Sequence, residues 1–223
     1  MECNYCKGKC IKFGLYLNGD QRYRCKLCLR SQKVAYIYVG CEPEIKYEIE
    51  AMINESCGIR SISRILKISP GKVIKTIKAL WEEQKKKKRI ILRGRIYELD
   101  EMKTFVGNKN KKYCIVYAID RVAKEVIDFK VGKRTNKTLK KVVGTLLLAE
   151  ARKIYTNGLR NYKTLIPESI HKVGKYRINH IERKNLSVRT HLKRLSRKTI
   201  CFSKSIEMLE ASLGLYFWKN NVC

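Results

Sequence analysis

The chain has 223 residues, of which 44% are hydrophobic, so it is long enough to bury a core and is expected to fold. Its 50 Lys and Arg residues against 20 Asp and Glu residues give a formal net charge of +30, which favours a polyanionic partner, and nucleic acid first among them. No run approaches ~18 apolar residues, and the start MECNYCKGKC does not have the pattern of a signal peptide. These features exclude a membrane-spanning protein and predict a cytoplasmic one.

The cysteines predict a metal site near the start of the chain. In a long, lysine-rich chain without an export signal, closely spaced cysteines indicate metal ligands rather than disulfides. Eighteen residues separate the pair Cys3-x-x-Cys6 from the pair Cys25-x-x-Cys28. Each pair can reach one ion from a tight turn, so the four thiolates predict a structural, tetrahedral Zn²⁺ site. Cys10 is a rival ligand, and a set of unpaired core cysteines is the alternative interpretation.

The segment between the two cysteine pairs has the pattern of a β-hairpin. Residues 13–24 contain β-forming residues on both sides of Asn18-Gly19, a dipeptide typical of a two-residue hairpin turn. A hairpin between two zinc-binding pairs is the organisation of a zinc ribbon, which we predict at residues 1–41. Four thiolates leave no open position for a substrate, so this zinc is expected to be structural.

Three helices are predicted next, at residues 42–83. Gly58 ends the first helix, and Ser69 can cap the third helix, with Pro70 at its first position. A short helix, a short turn and a basic helix are typical of a helix-turn-helix, whose last helix enters the major groove of DNA. The residues predicted to contact DNA here are Arg60, Lys72, Lys75 and Lys78. A three-helix packing unit with a solvated lysine face is the alternative.

A basic segment at residues 84–94 is predicted to be a linker. Gln84 and the five cations that follow it cannot be buried, so the segment is either a solvated helix end or a hinge that contacts phosphates. From Arg95 the pattern changes to strands at 96–106, 112–120, 125–131 and 153–157, with a helix at 135–151. This order predicts an α/β domain at residues 95–223, with a mixed sheet covered by helices.

The stretch 176–204 combines strong positive charge with a single acid. Between Lys172 and Lys204 there are eleven Lys and Arg residues, and Glu182 is the only acidic residue. Apolar residues from Ile178 to Leu195 recur at helical spacing, and Glu182 lies at the border of this stripe. We therefore expect Glu182 to help hold a divalent metal ion. The cations predicted to contact DNA phosphates are Arg183, Lys184, Arg189, Lys193, Arg194, Arg197 and Lys198.

Four segments carry a resemblance to a known family. They are ELDEMKTFVG at 98–107, YAIDR at 117–121, YTNGLRNY at 155–162 and NHIERKNLSVRTHLKRLSRKTICFSKS at 179–205. The chain resembles the transposases of the insertion-sequence-one family, and the cysteine pairs and the predicted helix-turn-helix are in the order that this family shows. The resemblance implies a ribonuclease-H-like catalytic domain with an Asp-Asp-Glu site for Mg²⁺ or Mn²⁺, and an N-terminal half that binds the inverted-repeat ends of the element. By position, Asp100 matches the first acid and Glu182 the third.

The second position departs from the family pattern. Where the family has Thr-Asp, this chain has Thr156-Asn157, with twenty-four residues between Asn157 and Glu182. An amide offers a carbonyl oxygen but no charge, so one cation is expected to bind more weakly. Three interpretations remain open: an inactive copy that still binds DNA, an active enzyme in which Asp120 or Glu101 substitutes, or slow deamidation at Asn157-Gly158.

The sequence therefore predicts a DNA transposase, with Asp100, Asn157 and Glu182 as its catalytic and magnesium-binding positions. Its expected partners are double-stranded DNA, as inverted-repeat ends and target, and further copies of itself on that DNA. Its expected location is the bacterial cytoplasm, at the nucleoid. The alternative is a DNA-binding regulator derived from a transposase and without catalysis.

Overall fold

The computed structural model describes residues 1–34, 43–87, 91–174 and 177–218. The chain forms two compact units, Met1–Glu42 and Pro43–Cys223. The end of the predicted ribbon, after residue 34, and residues 88–90 of the predicted linker lie outside the described residues. None of the described helices has the length and apolar character needed to span a bilayer.

The first unit contains a three-stranded antiparallel sheet in the order β1-β2-β3. Its strands are β1 (Cys10–Leu15), β2 (Gln21–Cys25) and β3 (Ser31–Gln32). Gly19 adopts a left-handed φ of +84° in the turn between β1 and β2, at the predicted Asn18-Gly19 position. The predicted hairpin is therefore present, while the short third strand was not predicted.

The second unit begins with the three predicted helices, α1 (Pro43–Asn54), α2 (Ile59–Ile65) and α3 (Pro70–Lys86). The Ser69 side chain accepts a hydrogen bond from the Lys72 backbone N–H at 3.2 Å, so Ser69 caps α3 as predicted. Pro70 occupies the first helical position, where its missing N–H costs nothing. The side chains of α3 that are buried are Val73, Ile77, Leu80 and Trp81.

A five-stranded mixed sheet forms the centre of the second unit. Its strands are β4 (Ile96–Val106), β5 (Asn108–Asp120), β6 (Val126–Gly132), β7 (Lys153–Thr156) and β8 (His171–Val173). The spatial order is β6-β5-β4-β7-β8; the first three strands are antiparallel, and β7 and β8 run parallel to β4. The later helices are α4 (Asn136–Leu148), α5 (Arg160–Leu165), α6 (Asn179–His191) and α7 (Ile206–Phe217).

The predicted α/β architecture with a mixed sheet is confirmed, with three differences of detail. Helix α5 and strand β8 were not predicted, because both are too short to show a periodic pattern. Helix α6 ends at His191 and is followed by a 3-10 turn at Lys193–Leu195, so the apolar residues to Leu195 do not form one continuous helix.

The two faces of the sheet support separate hydrophobic clusters. Successive side chains of a strand point to opposite faces; on β4, Tyr97 and Leu99 pack in a cluster with α4. Met102 and Val106, on the other face, pack in a cluster that includes residues of α1, α3, α6 and α7. Helices α1–α3 thus share a core with the sheet, while the functional division at 42–83, 84–94 and 95–223 remains a prediction.

Helix α7 lies at the centre of that shared core. Its neighbour Trp218 stacks on Trp81 of α3 with ring centroids 5.3 Å apart, and Phe217 packs edge-on against Phe129 of β6 at 5.4 Å. The backbone of α7 comes so close to Trp81 that a Cβ atom at Gly214 would lie 2.0 Å from a ring carbon. Only glycine fits this helix crossing without displacing the tryptophan.

Gly214→Ala should therefore lower the stability of the second unit. We expect a loss of about 1–3 kcal/mol because the indole and its neighbours must move, measured as the free energy of unfolding in urea. Gly144→Ala in α4 is the matched control: its Cβ would meet nothing within 4 Å, and we expect a gain of about 0.5–1 kcal/mol from helix propensity. Equal stability of the two variants would contradict this account of the α3–α7 contact.

Candidate metal sites

The four predicted zinc ligands converge in the first unit. The Sγ atoms of Cys3, Cys6, Cys25 and Cys28 all lie within 4.8 Å of one another. Two of the separations are 3.5 Å, between Cys3 and Cys28, and 3.4 Å, between Cys6 and Cys25. A Zn–S distance of ~2.3 Å in a tetrahedron requires sulfur atoms ~3.8 Å apart, so the arrangement fits zinc.

Cys10 is buried beside this site but outside the converging group. Its thiol lies 4.0 Å from the carbonyl oxygen of Gly8, and burial raises its pKa. The pKa of Cys3 moves the other way: burial opposes ionisation, but hydrogen bonds from the Tyr5 and Cys6 backbone and from neighbouring thiols bring it to about 6. Cys3 therefore favours the thiolate, the form that binds metal.

Asp100 is the centre of the second candidate site. It lies on β4 with 8% of its surface exposed, and burial raises the pKa of its carboxyl group to about 6, with further contributions from the charges of Glu101 and Glu182. Both carboxylate oxygens accept hydrogen bonds from amides. Asn157 Nδ2 donates to Oδ1 at 2.8 Å, and Asn185 Nδ2 donates to Oδ2 at 2.8 Å.

Asn157 follows β7, the parallel neighbour of β4, and the register that pairs Thr156 with Leu99 brings it beside Asp100 within β4. Its Nδ2 faces Asp100, and its Oδ1 accepts from the Leu159 backbone N–H at 3.2 Å. Both the Nδ2 donor and the Oδ1 acceptor of the amide are thus hydrogen-bonded within the protein. In this orientation Asn157 presents a donor to Asp100 and offers no oxygen to a shared cation.

Glu182 is exposed in the first turn of α6. Asn185 is three residues further along the helix and therefore on the same side, so its bond to Asp100 turns that side of α6 toward β4. Glu182 lines a groove of about 750 Å³ together with Lys103, Asn185 and Arg197. The carboxylates of Asp100 and Glu182 are hard oxygen ligands of the kind that Mg²⁺ prefers, so their chemistry suits the predicted cation.

The carboxylates of both proposed substitutes for Asn157 bond groups other than Asp100. Asp120 is opposite Tyr97 in the register, whereas Asp100 is opposite Tyr117. The Asp120 carboxylate accepts from two backbone N–H groups of its own turn, at Val122 and Ala123. Glu101 follows Asp100 on β4 and so points to the other sheet face, where it bonds Arg134 at 2.7 Å and Tyr162 at 2.9 Å. These contacts give no support to the interpretation that either acid replaces residue 157, which stays a prediction.

A buried acid that was not predicted fixes the start of α6. Glu98 is fully buried on β4, two residues before Asp100 and hence on the same face. Its carboxylate accepts from the Ile181 backbone N–H at 2.9 Å and lies 2.8 Å from His180 Nδ1 and 3.4 Å from Arg121 Nε. The N-cap residue of α6, Ile178, makes no side-chain hydrogen bond to the helix, so Glu98 supplies the missing acceptor from the sheet.

Several of the predicted DNA-binding cations already have partners in the protein. Lys78 bonds Glu207 at 2.6 Å, and Arg189 donates to the carbonyl oxygens of Leu195 at 2.9 Å and Lys103 at 3.1 Å. Arg194 donates to Ser203 Oγ at 3.2 Å. The exposed members of the predicted set are Arg60, Lys75, Arg183, Lys193, Arg197 and Lys198, while Lys72 and Lys184 are partly exposed. Their role in DNA binding stays a prediction.

Sequence reasoning also missed Asn185 and Tyr117. The Tyr117 hydroxyl donates to Asn185 Oδ1 at 2.9 Å, which orients the amide so that its Nδ2 meets Asp100. Asn185 could have been identified from the sequence, since a residue three positions after Glu182 lies on the same side of the helix. Tyr117 could not have been identified in this way, because its contact with Asn185 depends on its position opposite Asp100 in the strand register.

The geometry of the cysteine site predicts that Cys25→Ser abolishes zinc binding, because it removes one of the four converging thiolates. Cys10→Ser is the matched control at a neighbouring buried cysteine, and it should keep the full zinc content. Metal analysis of the purified variants measures both. Retention of zinc by Cys25→Ser together with its loss from Cys10→Ser would make Cys10 the fourth ligand.

Removal of the Glu98 charge should destabilise the protein. Glu98→Gln loses a carboxylate that holds the first turn of α6, and a weakened buried charged hydrogen bond costs about 1.5–3 kcal/mol. The exposed Glu125→Gln is the control and should be neutral. Urea unfolding measures both, and an unchanged free energy of unfolding in Glu98→Gln would show that α6 does not depend on this acceptor.

Comparison with known proteins identifies the family. A family model described as IS1 transposase matches residues 95–222. The protein InsB of insertion element iso-IS1n from Shigella dysenteriae is 35% identical over 125 residues, which cover 56% of this chain and 95% of that protein. An IS1 InsB protein of Escherichia coli K12 is 35% identical over 119 residues, or 53% of this chain and 71% of that protein.

Solved structures give more distant similarities. The catalytic core domain of HTLV-2 integrase, solved with magnesium, is 17% identical with a TM-score of 0.41, over 60% of this chain and 90% of that one. A simian T-cell lymphotropic virus intasome chain is 14% identical with a TM-score of 0.39, over 78% of this chain and 68% of that one. The extent of the family match, which begins at the first strand of the sheet and runs past α7, decides the assignment. This chain belongs to the IS1 family of transposases.

Proposed function

We propose that this chain is a DNA transposase of the Asp-Asp-Glu type whose catalytic site consists of Asp100, residue 157 and Glu182. The observation that carries the proposal is the convergence on Asp100. Asn157 bonds one oxygen of its carboxylate, and the side of α6 that carries Glu182 bonds the other through Asn185. Three antiparallel strands followed by two parallel ones, with helices on both faces, support a ribonuclease-H-like domain.

A bound Mg²⁺ or Mn²⁺ would activate the attacking oxygen and stabilise the leaving oxygen of a phosphodiester. Asp100 and Glu182 would supply the charged ligands for it. Asn185 would hold the Asp100 carboxylate in place, since Tyr117 fixes the orientation of the amide. The exposed cations around Glu182, including Arg183 and Arg197, would hold the DNA phosphates beside the groove.

Asn157 should weaken this activity strongly. For its Oδ1 to face a cation beside Asp100, the amide must rotate and give up its bonds to Asp100 and to the Leu159 N–H. It would still bring no charge to the site. We therefore propose a chain that retains the architecture of a transposase but has a low affinity for the divalent cation.

The N-terminal parts would recognise DNA. Helices α2 and α3, joined by a short turn, would act as a helix-turn-helix on the inverted-repeat ends of the element, with Arg60, Lys72 and Lys75 as phosphate or base contacts. The cysteine cluster would hold one structural Zn²⁺. Transposition joins two ends, so further copies of the chain would assemble on the DNA.

Asn157→Asp tests the proposal through metal binding and catalysis together. The new carboxylate would stand where an amide now lies 2.8 Å from Asp100, so like-charge repulsion should lower the melting temperature of the metal-free protein. Mg²⁺ or Mn²⁺ should raise that temperature in Asn157→Asp far more than in the natural chain. Nicking of an inverted-repeat duplex should increase by about 10²–10³-fold.

Asp100→Ala in the Asn157→Asp background is the control, and it should abolish both the stabilisation by metal and the nicking. If Asn157→Asp gains neither effect while Asp100→Ala removes the activity of the natural chain, residue 157 is not the second ligand. Peptide mapping of the natural protein should show asparagine at 157, so that deamidation does not supply the acid during storage.

The alternative is a regulator that binds the element ends without cutting them. The two hydrogen bonds of the Asn157 amide favour this alternative, because they pair its Nδ2 donor and its Oδ1 acceptor without a cation. Salt-dependent binding of an inverted-repeat duplex, with no nicking by the natural chain at any divalent metal concentration, would support the regulator.

A further inference from the structure

One face of the three-stranded sheet in the first unit carries a cluster of planar side chains. Ile11 is opposite Arg24 in the register between β1 and β2, and Arg24 is opposite Ser31 on β3. Directly opposed residues share a face, and so do residues two positions apart. Phe13 and Arg22 therefore extend the same face. The opposite face carries Cys10, Lys12, Tyr23, Cys25 and Gln32, next to the cysteine cluster.

The arginines of this face stack on its aromatic ring. The guanidinium carbon of Arg22 lies 4.8 Å from the centroid of Phe13, and that of Arg24 lies 4.9 Å from it. Hydrogen bonds hold both guanidinium groups, from Arg22 Nε to the Phe13 carbonyl at 2.9 Å and from Arg24 Nε to the Leu29 carbonyl at 3.2 Å. The cluster is thus a preformed array of flat cationic and aromatic surfaces.

This face is open to solvent although it is partly apolar. Ile11 is 43% exposed and Phe13 is 38% exposed. The face defined by Ile11, Phe13, Arg22, Arg24 and Ser31 has no acidic residue. The carboxylate of Asp20, in the hairpin turn, forms a salt bridge with Lys33 and accepts a hydrogen bond from Asn18. An exposed apolar surface with only positive charge is typical of a binding site for a polyanion that also has apolar faces.

We propose that this sheet face binds unpaired nucleotides of a nucleic acid strand. Exposed bases would stack on the Phe13 ring or on the guanidinium planes, and the same arginines would hold the phosphates. Paired bases hide their faces within the duplex, so stacking of this kind selects for a single strand. This face shares no residue with the proposed helix-turn-helix or the Asp100 site, and the proposal does not depend on the proposed catalytic function.

The test compares two labelled probes, an oligothymidine and a duplex of the same length, by fluorescence anisotropy with the full-length, zinc-loaded chain. Phe13→Ala should weaken binding of the single strand by about ten-fold or more and leave duplex binding unchanged. The difference should persist at high salt, where phosphate contacts contribute little and stacking remains. Leu17→Ala is the matched control, since Leu17 is fully exposed in the hairpin turn and outside the face.

A second variant separates stacking from charge. Arg22→Lys combined with Arg24→Lys keeps both charges but removes both planes, so single-strand affinity should fall while its salt dependence is retained. Zinc content measured on each variant shows whether the first unit is folded. An equal loss of single-strand and duplex binding in Phe13→Ala, or no loss at all, would overturn the proposal. A change of oligomeric state without a change in binding would instead assign the face to contacts between copies of the chain.

Discussion

The geometry of the candidate catalytic site depends on two carboxylates buried side by side on one strand. Glu98 and Asp100 share a face of β4, and a buried carboxylate is costly unless donors surround it. The donors come largely from α6: the Ile181 N–H and His180 serve Glu98, and the Asn185 amide serves Asp100. The need to satisfy these two acids therefore fixes the position of α6, and with it the position of Glu182.

Asn157 changes the character of this arrangement. In a site with three acids, repulsion between carboxylates makes the empty pocket unfavourable and strengthens its attraction for cations. Here the amide donates a hydrogen bond to one oxygen of Asp100, and this contact requires no metal. In the proposed catalytic site, Asn157 would therefore replace the repulsion that attracts a cation with a neutral hydrogen bond.

Local signals in the sequence predicted most of the elements and the cysteine cluster. Ser69-Pro70 marked the start of α3, Asn18-Gly19 marked the hairpin, and the cysteine spacing marked a cluster that does converge. Glu182 was predicted as the lone acid beside a helical apolar stripe, whereas the role of Asp100 came from the family resemblance. Contacts between distant segments could not be predicted: in the sequence Glu98 is simply one residue of a strand, and the fold gives it the Ile181 N–H, His180 and Arg121 as partners. The contacts of Arg189 were not predicted either. Its charge suggested DNA binding, whereas its guanidinium group donates to the backbone carbonyls of Leu195 and Lys103.

The crossing of α3 and α7 has a consequence for biosynthesis. Trp81 leaves the ribosome long before Gly214 and Trp218, the residues that enclose it, have been made. During synthesis the Trp81 indole therefore stays uncovered on this side until α7 has emerged, and contacts so distant in sequence form slowly. A nascent or prematurely terminated chain would expose this surface to aggregation or to chaperones, so the last helix also limits how soon the first helices become stable.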